Sequence, residues 1–167
     1  MRLFKLTDEN GQTYGGCQWG VGVTHTASGD GPLCSDAWIH AYTDPLLAAL
    51  LNPIHAGFRS PRLWEAEGVV GADDCGLKVG CAKLTTLREI QVPEMSTAQR
   101  VAFAIHCAKG VYSDAAWNRW ADRWLSGEDR TAESAVHAAD AAKTRGRALD
   151  LPALAKKALE SGAEKNQ

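Results

Sequence analysis

Apolar and polar residues alternate along three segments of the first half of the chain. Residues 2–6, "RLFKL", and residues 62–70, "RLWEAEGVV", repeat with the two-residue period of a strand that buries one face. Residues 77–93, "LKVGCAKLTTLREIQVP", predict one or two more strands by the same pattern. The dipeptide Asn10 and Gly11 predicts a type I′ hairpin turn, in which both residues have positive φ. The first half therefore predicts a small, mostly antiparallel sheet.

One segment in this half has the composition of a buried helix. Residues 46–51, "LLAALL", are apolar on every face, so a helix here would be covered on all sides. Thr43 or Asp44 is placed to accept a bond from a free backbone N–H at its start. Pro45 suits the first turn, where a missing N–H removes no hydrogen bond. Pro53 predicts the end of this helix or a kink in it.

Helical periodicity replaces alternation after Pro93. Ser96 and Gln99 have the spacing of a capping box, which predicts the start of a helix. The next predicted helix is capped by Ser113 or Asp114 and closed by Gly127. Two more are predicted: an alanine-rich helix over residues 129–146, and a short amphipathic helix over residues 150–162.

Together the two halves predict an α+β protein. The first domain is residues 1–95, a small, mostly antiparallel sheet with one embedded helix, and the second is a helical subdomain over residues 96–160. Residues 161–167 are predicted to form a disordered tail, because chain ends that do not dock fray. A chain of 167 residues is long enough to bury a core without a metal or a disulfide.

Charge and composition narrow the classes of partner. Residues 1–95 carry 7 Lys and Arg against 11 Asp and Glu, a net charge of −4, and residues 96–167 carry 11 against 9, a net of +2. Neither half is basic enough to predict nucleic acid as the main ligand. The chain has no membrane-length apolar run and no signal-peptide core, so we expect a cytoplasmic protein. Its five cysteines are therefore expected to be reduced thiols.

Four phrases follow one another in an order that is similar to an uncharacterised domain family of phage and bacterial genomes. They are "GGCQWGVGVTH", "LCSDAWIHAYTDPLLAALL", "RLWEAEGVV" and "GLKVGCAKLTTLREIQVP". The resemblance covers about residues 3–95 and part of the helix at 96–112. Ala37 departs from the pattern, because glycine is usual at that place in the family. The family has no known function, so the resemblance implies a fold and a phage or prophage origin but no reaction.

Cys34 and His40 carry two alternative hypotheses. Thiolate and imidazole are preferred zinc ligands, so these residues, with Cys17, His25 or Cys81, would form a tetrahedral zinc site. In the second hypothesis, Cys34 is a nucleophile activated by His40 or by a helix N-terminus. The structural alternative is that Cys34 is a small buried hydrophobic residue and that His40 bonds to the backbone.

A further enzyme hypothesis concerns the strand "RLWEAEG". The segment "AWIHAYTDPLLAALL" is loosely similar to the part of ADP-ribosyltransferases in which an alanine-rich helix follows an aromatic strand end. That similarity implies Glu65 or Glu67 as the catalytic carboxylate, His40 beside it in a cleft, and NAD as the cofactor. The alternative is that both glutamates face solvent on an edge strand.

Three tryptophans and two arginines mark the second predicted helix of the helical subdomain. Trp117, Trp120 and Trp124 recur at i, i+3 and i+7 on one face, and Arg119 and Arg123 are one turn apart on adjacent faces. A core stripe accounts best for at least two of the tryptophans. An exposed indole beside arginines would form a partner-binding site, since Trp and Arg dominate interface energies. The alanine-rich helix would pack on a partner or a second copy, which allows a homo-oligomer.

These observations favour a binding protein over an enzyme. We expect a non-enzymatic phage or prophage accessory protein that acts in the host cytosol. It would bind and inhibit a host protein, such as a CRISPR effector or another defence component, through its C-terminal helices. The alternatives are the NAD-dependent transferase and a zinc-stabilised binding domain.

Overall fold

The computed structural model describes residues 1–130 and 149–161, which divide into two compact units, Met1–Glu94 and a second that begins at Met95. The first unit holds one long helix, α1 (Pro45–His55), and a short 3₁₀ turn at Tyr14–Gly16. Its strands are β1 (Arg2–Thr7), β2 (Gln12–Thr13), β3 (Cys17–Gln18), β4 (Thr24–Thr26), β5 (Ile39–Ala41), β6 (Arg62–Asp73) and β7 (Val79–Ile90). The predicted α+β class, with a mostly antiparallel sheet, is confirmed.

The main sheet of the first unit closes on itself. β6 lies between β1 and β7, and β5 pairs with β7 through residues 79–81, all in antiparallel register. Just after β5, the backbone of Tyr42 exchanges two 2.8 Å hydrogen bonds with Phe4 of β1. Backbone pairing therefore runs from β1 through β6, β7 and β5 back to β1. β4 pairs with a second stretch of β7, residues 83–85.

The long β6–β7 hairpin has the irregularities that such closure requires. Its register shifts at three places, between Glu65 and Ala66, between Gly68 and Val70, and between Val70 and Ala72. Bulges of this kind bend a strand and increase its twist, so the hairpin curves instead of extending as a flat ribbon.

Apolar residues fill the interior of this closed sheet. Full burial of a large apolar side chain contributes about 1.5–3 kcal/mol. The residues that share this core are Leu3, Trp19, Ala41, Ala66, Val79, Cys81 and Leu84. Helix α1 packs against β1, and its leucines at 47, 50 and 51 are buried, as the apolar run predicts.

Asp44, and not Thr43, caps α1. Its Oδ1 accepts a 2.8 Å bond from the backbone N–H of Leu46, and Pro45 begins the helix. Pro53 lies in the last turn of the helix, which ends two residues later at His55. The end of the helix close to this proline agrees with the prediction, because proline has no N–H to donate and disfavours a longer helix.

The turn at Asn10 and Gly11 differs from the predicted type I′ geometry. Gly11 has a φ of +78°, but Asn10 does not adopt a positive φ. Asp8 determines the turn, because its Oδ1 accepts bonds from the backbone N–H groups of Asn10 at 2.9 Å and Gln12 at 2.7 Å. This side chain favours a type I turn followed by a left-handed glycine, which is the usual three-residue hairpin loop.

The second unit is helical over its described residues. It contains α2 (Thr97–Val111), α3 (Ala115–Ser126) and α4 (Leu151–Ser161), and α2 contacts both other helices. The predicted capping box of α2 is confirmed: Ser96 Oγ accepts from the Gln99 N–H at 3.1 Å, and Gln99 Oε1 accepts from the Ser96 N–H at 2.8 Å. No helix within residues 1–130 or 149–161 is long and apolar enough to cross a membrane.

The structure also decides between the two predicted caps of α3. Asp114 caps it by accepting a 2.7 Å bond from the Trp117 N–H, and Gly127 closes it with a φ of +85°. The predicted alanine-rich helix over residues 129–146 and the predicted tail over residues 161–167 lie almost wholly outside the described residues.

Candidate functional sites

The stretch from Leu33 to Tyr42 forms the corner that leads into β5. Nε2 of His40 donates a hydrogen bond to the backbone oxygen of Leu33 and so closes the loop across the corner. Burial lowers the pKa of His40; the bond to Leu33 opposes this shift, and the positive charges of Lys78 and Lys5 add to it. His40 thus bonds to the backbone, as the structural alternative for this residue predicts.

Cys34 is exposed, contrary to the prediction that it is a small buried residue. Nζ of Lys78 donates to its sulfur at a distance of 3.2 Å. Lys78 directly precedes β7, so this pair joins the loop before β5 to the tip of the β6–β7 hairpin. The same tip carries a second exposed thiol, that of Cys75, at a φ of 51°. The predicted nucleophile pair of Cys34 with His40 is not formed, because each residue bonds elsewhere.

The last turn of α1 brings a second imidazole to this corner. The Tyr42 hydroxyl lies 3.2 Å from Nδ1 of His55, and the two rings stack with centroids 6.0 Å apart. Burial raises the pKa of Tyr42 to about 12 and lowers the pKa of His55, which the charge of Lys78 lowers further. The corner therefore carries two contacting pairs, Cys34 with Lys78 and Tyr42 with His55.

The proposed zinc ligands are not brought together. Cys34 is at the corner surface, whereas Cys81 is buried inside the closed sheet. His25 lies on β4, where its Nε2 bonds to the Gln18 backbone oxygen at 2.7 Å and its ring packs edge-on against Trp19. Within the part of the chain that the structure describes, no three His, Cys, Asp or Glu side chains form a group that could hold a metal ion.

Glu65 and Glu67 lie on an interior strand, so the prediction that they face solvent on an edge strand is wrong about the strand. Both oxygens of Glu65 are occupied: Oε1 pairs with Arg2 at 2.7 Å and Oε2 pairs with Arg88 at 2.6 Å. Glu67 is exposed. A carboxylate held by two guanidinium groups is suited to bridging three strands, and it would have to break both ion pairs to contact NAD.

A buried lysine is the site feature that the sequence predictions missed. Lys5 is 7% exposed, and its Nζ donates a 2.8 Å bond to the His40 backbone oxygen and lies 5.1 Å from the centroid of the Trp19 ring. Burial lowers its pKa to about 8, although two neighbouring cysteine thiols oppose the shift. The signal is present in "RLFKL", where the two-residue period places Lys5 on the same face as Leu3.

In the second unit, the tryptophans of α3 are buried or half-buried, whereas its arginines are exposed. Trp124 is buried at 4% exposure, while Trp117 and Trp120 are half-buried with ring centroids 5.7 Å apart. Trp124 is therefore part of the packing of this unit. Arg119 and Arg123 are exposed, as an interaction surface requires.

The exposed face of α3 carries a shallow depression of about 420 Å³. Ala116, Arg119, Asp122 and Arg123 line it. Asp122 pairs with Lys109 of α2, whereas neither arginine pairs with an acidic side chain within residues 1–130 or 149–161. Two guanidinium groups one turn apart can therefore bind an anionic group.

The chain matches no protein-family model, no curated protein and no solved structure. Its resemblance to a domain family of phage and bacterial genomes therefore stays a prediction from the sequence.

Proposed function

We propose that the chain is a non-enzymatic accessory protein of phage or prophage type that binds and inhibits a host protein in the cytosol. Its contact surface is the exposed face of α3. The observation that supports this proposal is the exposed pair Arg119 and Arg123 beside a depression on that face, with no acidic partner among the described residues.

The chemistry of this surface suits an acidic segment of a host defence component, such as a CRISPR effector. Arginine forms paired hydrogen bonds with carboxylates, and two arginines one helical turn apart can hold two acidic side chains in register. The half-buried indole of Trp117 supplies an apolar border to the same helix. Indole and guanidinium groups dominate the energetics of protein interfaces, so a small surface of this kind can anchor a partner.

The test is a charge reversal on α3. Cells with active CRISPR immunity would express the protein, and the plating efficiency of a targeted phage would be measured together with capture of the effector. We expect the unaltered chain to restore plating and the double variant Arg119→Glu and Arg123→Glu to lose this effect. Removal of an interface anchor costs about 2 kcal/mol or more, which corresponds to weaker binding by about 30-fold.

A matched control reverses two exposed cations of the same unit. Lys156 and Lys157 lie on α4, so changing both to Glu alters the net charge by the same amount. This variant should keep full activity. Equal loss in both variants, or no loss in either, would contradict the assignment to α3. Failure of the unaltered chain to restore plating would contradict the inhibitor proposal itself.

A further inference from the structure

We infer that Cys34 and Lys78 form an oxidative modification site, at which a peroxide joins the cysteine sulfur to the lysine nitrogen in a reversible sulfenamide link. The site belongs to the first unit, at the corner before β5, and it is independent of the function proposed for α3. Its chemical input is a small peroxide, and its product is a covalent staple between the corner and the tip of the β6–β7 hairpin.

The Cys34 sulfur and the Lys78 nitrogen are within reacting distance. Nζ of Lys78 lies 3.2 Å from Sγ of Cys34, within the roughly 3–3.5 Å of a near-attack arrangement. The thiol is exposed, so a molecule as small as hydrogen peroxide reaches it from solvent. Lys78 is half-buried, which restricts the amine more than a fully solvated lysine would be restricted.

The reaction proceeds in two balanced steps. The Cys34 thiolate attacks one oxygen of hydrogen peroxide, the O–O bond breaks, hydroxide leaves, and a sulfenic acid forms. The neutral amine of Lys78 then attacks the sulfur, the N–S bond forms, the S–O bond breaks, and the hydroxyl group leaves with the amine proton as water. One thiol, one amine and one peroxide thus give one sulfenamide and two water molecules.

The link is reversible by thiols. An external thiol would reverse the link by attacking the sulfur, releasing the amine and leaving a mixed disulfide that a second thiol reduces.

The link would join positions that are 44 residues apart in the chain. Such a crosslink lowers the conformational entropy of the unfolded chain and so stabilises the folded first unit. The oxidised protein should therefore unfold at a higher temperature than the reduced protein. It should also lose the positive charge of Lys78.

The experiment is peroxide treatment of the full-length protein followed by intact mass and peptide mapping. We expect the treated protein to lose two hydrogen atoms in mass, with one crosslinked peptide containing Cys34 and Lys78. A reducing thiol should restore the original mass. Lys78→Arg keeps the positive charge but provides no condensing amine, so it should abolish the crosslink and leave a sulfenic acid or its further oxidation products at Cys34.

Two further variants make the outcome decisive. Lys83→Arg changes an exposed lysine of β7 and should leave the crosslink intact. Cys75→Ser removes the other exposed thiol, which lies at the hairpin tip, and should also leave the crosslink intact. Loss of the crosslink in this variant would show that it is a disulfide between Cys34 and Cys75 and would overturn the proposal. A crosslink that retains one oxygen atom would overturn the sulfenamide in favour of an N–O–S link.

Discussion

The interior of the closed sheet contains a single residue whose chemistry conflicts with its surroundings. Lys5 occupies a core position on β1, where its amine has one backbone oxygen and one indole face as partners. Taking an ammonium group out of water is costly, and one hydrogen bond recovers only part of that cost. The pKa of about 8 expresses this cost, because the fold favours the neutral amine.

We predict that this lysine makes stability rise with pH. The unfolded chain keeps the Lys5 proton up to its ordinary pKa of 10.5, whereas the folded chain loses it near 8, so the free energy of unfolding increases between these values. The contribution is about 3 kcal/mol over that window. Urea unfolding of the unaltered protein and of Lys5→Met at pH 7 and pH 10 measures this contribution. It is the rise in the free energy of unfolding that the unaltered protein shows and Lys5→Met lacks.

The unaltered protein is compared with Lys5→Met because other buried groups titrate in the same pH range. Burial raises the pKa of Cys107 to about 12, which lowers stability as the pH rises above the ordinary thiol value. That contribution cancels in the difference. Lys83→Met changes an exposed lysine of β7, so its free energy of unfolding should change with pH as that of the unaltered protein does. If the free energy of unfolding of Lys5→Met rose between pH 7 and pH 10 as much as that of the unaltered protein, the assignment to Lys5 would be contradicted.

At the scale of elements, the β6–β7 hairpin is shaped by the indole that packs on it. Trp38 lies over Gly71 and Gly80, where a Cβ would come within 2.6 Å and 3.0 Å of its atoms, and its Nε1 donates to the Gly31 oxygen at 3.0 Å. These glycines are needed for space and not for an unusual φ. Through this contact the corner that carries Cys34 is held against the hairpin tip that carries Lys78.

We predict that a methyl group at Gly71 displaces Trp38, and that one at Gly80 displaces both Trp38 and Leu33, whose Cδ1 would lie 2.6 Å away. Gly71→Ala and Gly80→Ala should each lower the free energy of unfolding by about 1–3 kcal/mol, the usual cost of overpacking. Gly20→Ala is the control, because its Cβ would meet only Val23 at 3.6 Å, an ordinary contact. Denaturant titration of the three variants tests this, and equal stability of all three would contradict the packing role of Trp38.

At the scale of the molecule, the first unit has all the features of an independently folding body. Its sheet closes through the Phe4 and Tyr42 pairing, its core residues come from within Met1–Glu94, and its helix packs on its own strand β1. A domain with its own core and no missing strand can fold without its neighbour.

We therefore predict that residues 1–94 fold when they are produced alone. The fragment should show strand-type circular dichroism and one cooperative thermal transition, with the near-ultraviolet signal of its buried tryptophans lost in the same transition. A fragment with strand content but no cooperative transition would contradict this prediction.

The sequence by itself determined the features that depend on neighbours a few residues apart. Strands β1, β6 and β7 follow from two-residue alternation, the start of α2 from the Ser96 and Gln99 pair, and the end of α3 from Gly127. Where two local signals were equivalent, as for Thr43 against Asp44 or Ser113 against Asp114, the sequence left the choice open. Local geometry then settled it in favour of the aspartate each time.

Only the tertiary structure decided the features that depend on distant pairings. The closure of the sheet, the interior position of β6, the burial of Lys5 against the His40 backbone 35 residues away and the contact of Cys34 with Lys78 all depend on which strands are neighbours. Periodicity shows that Lys5 shares a face with Leu3, but not whether that face is enclosed. The physical reason is that alternation specifies the faces of each strand, whereas strand order depends on the packing of the whole unit.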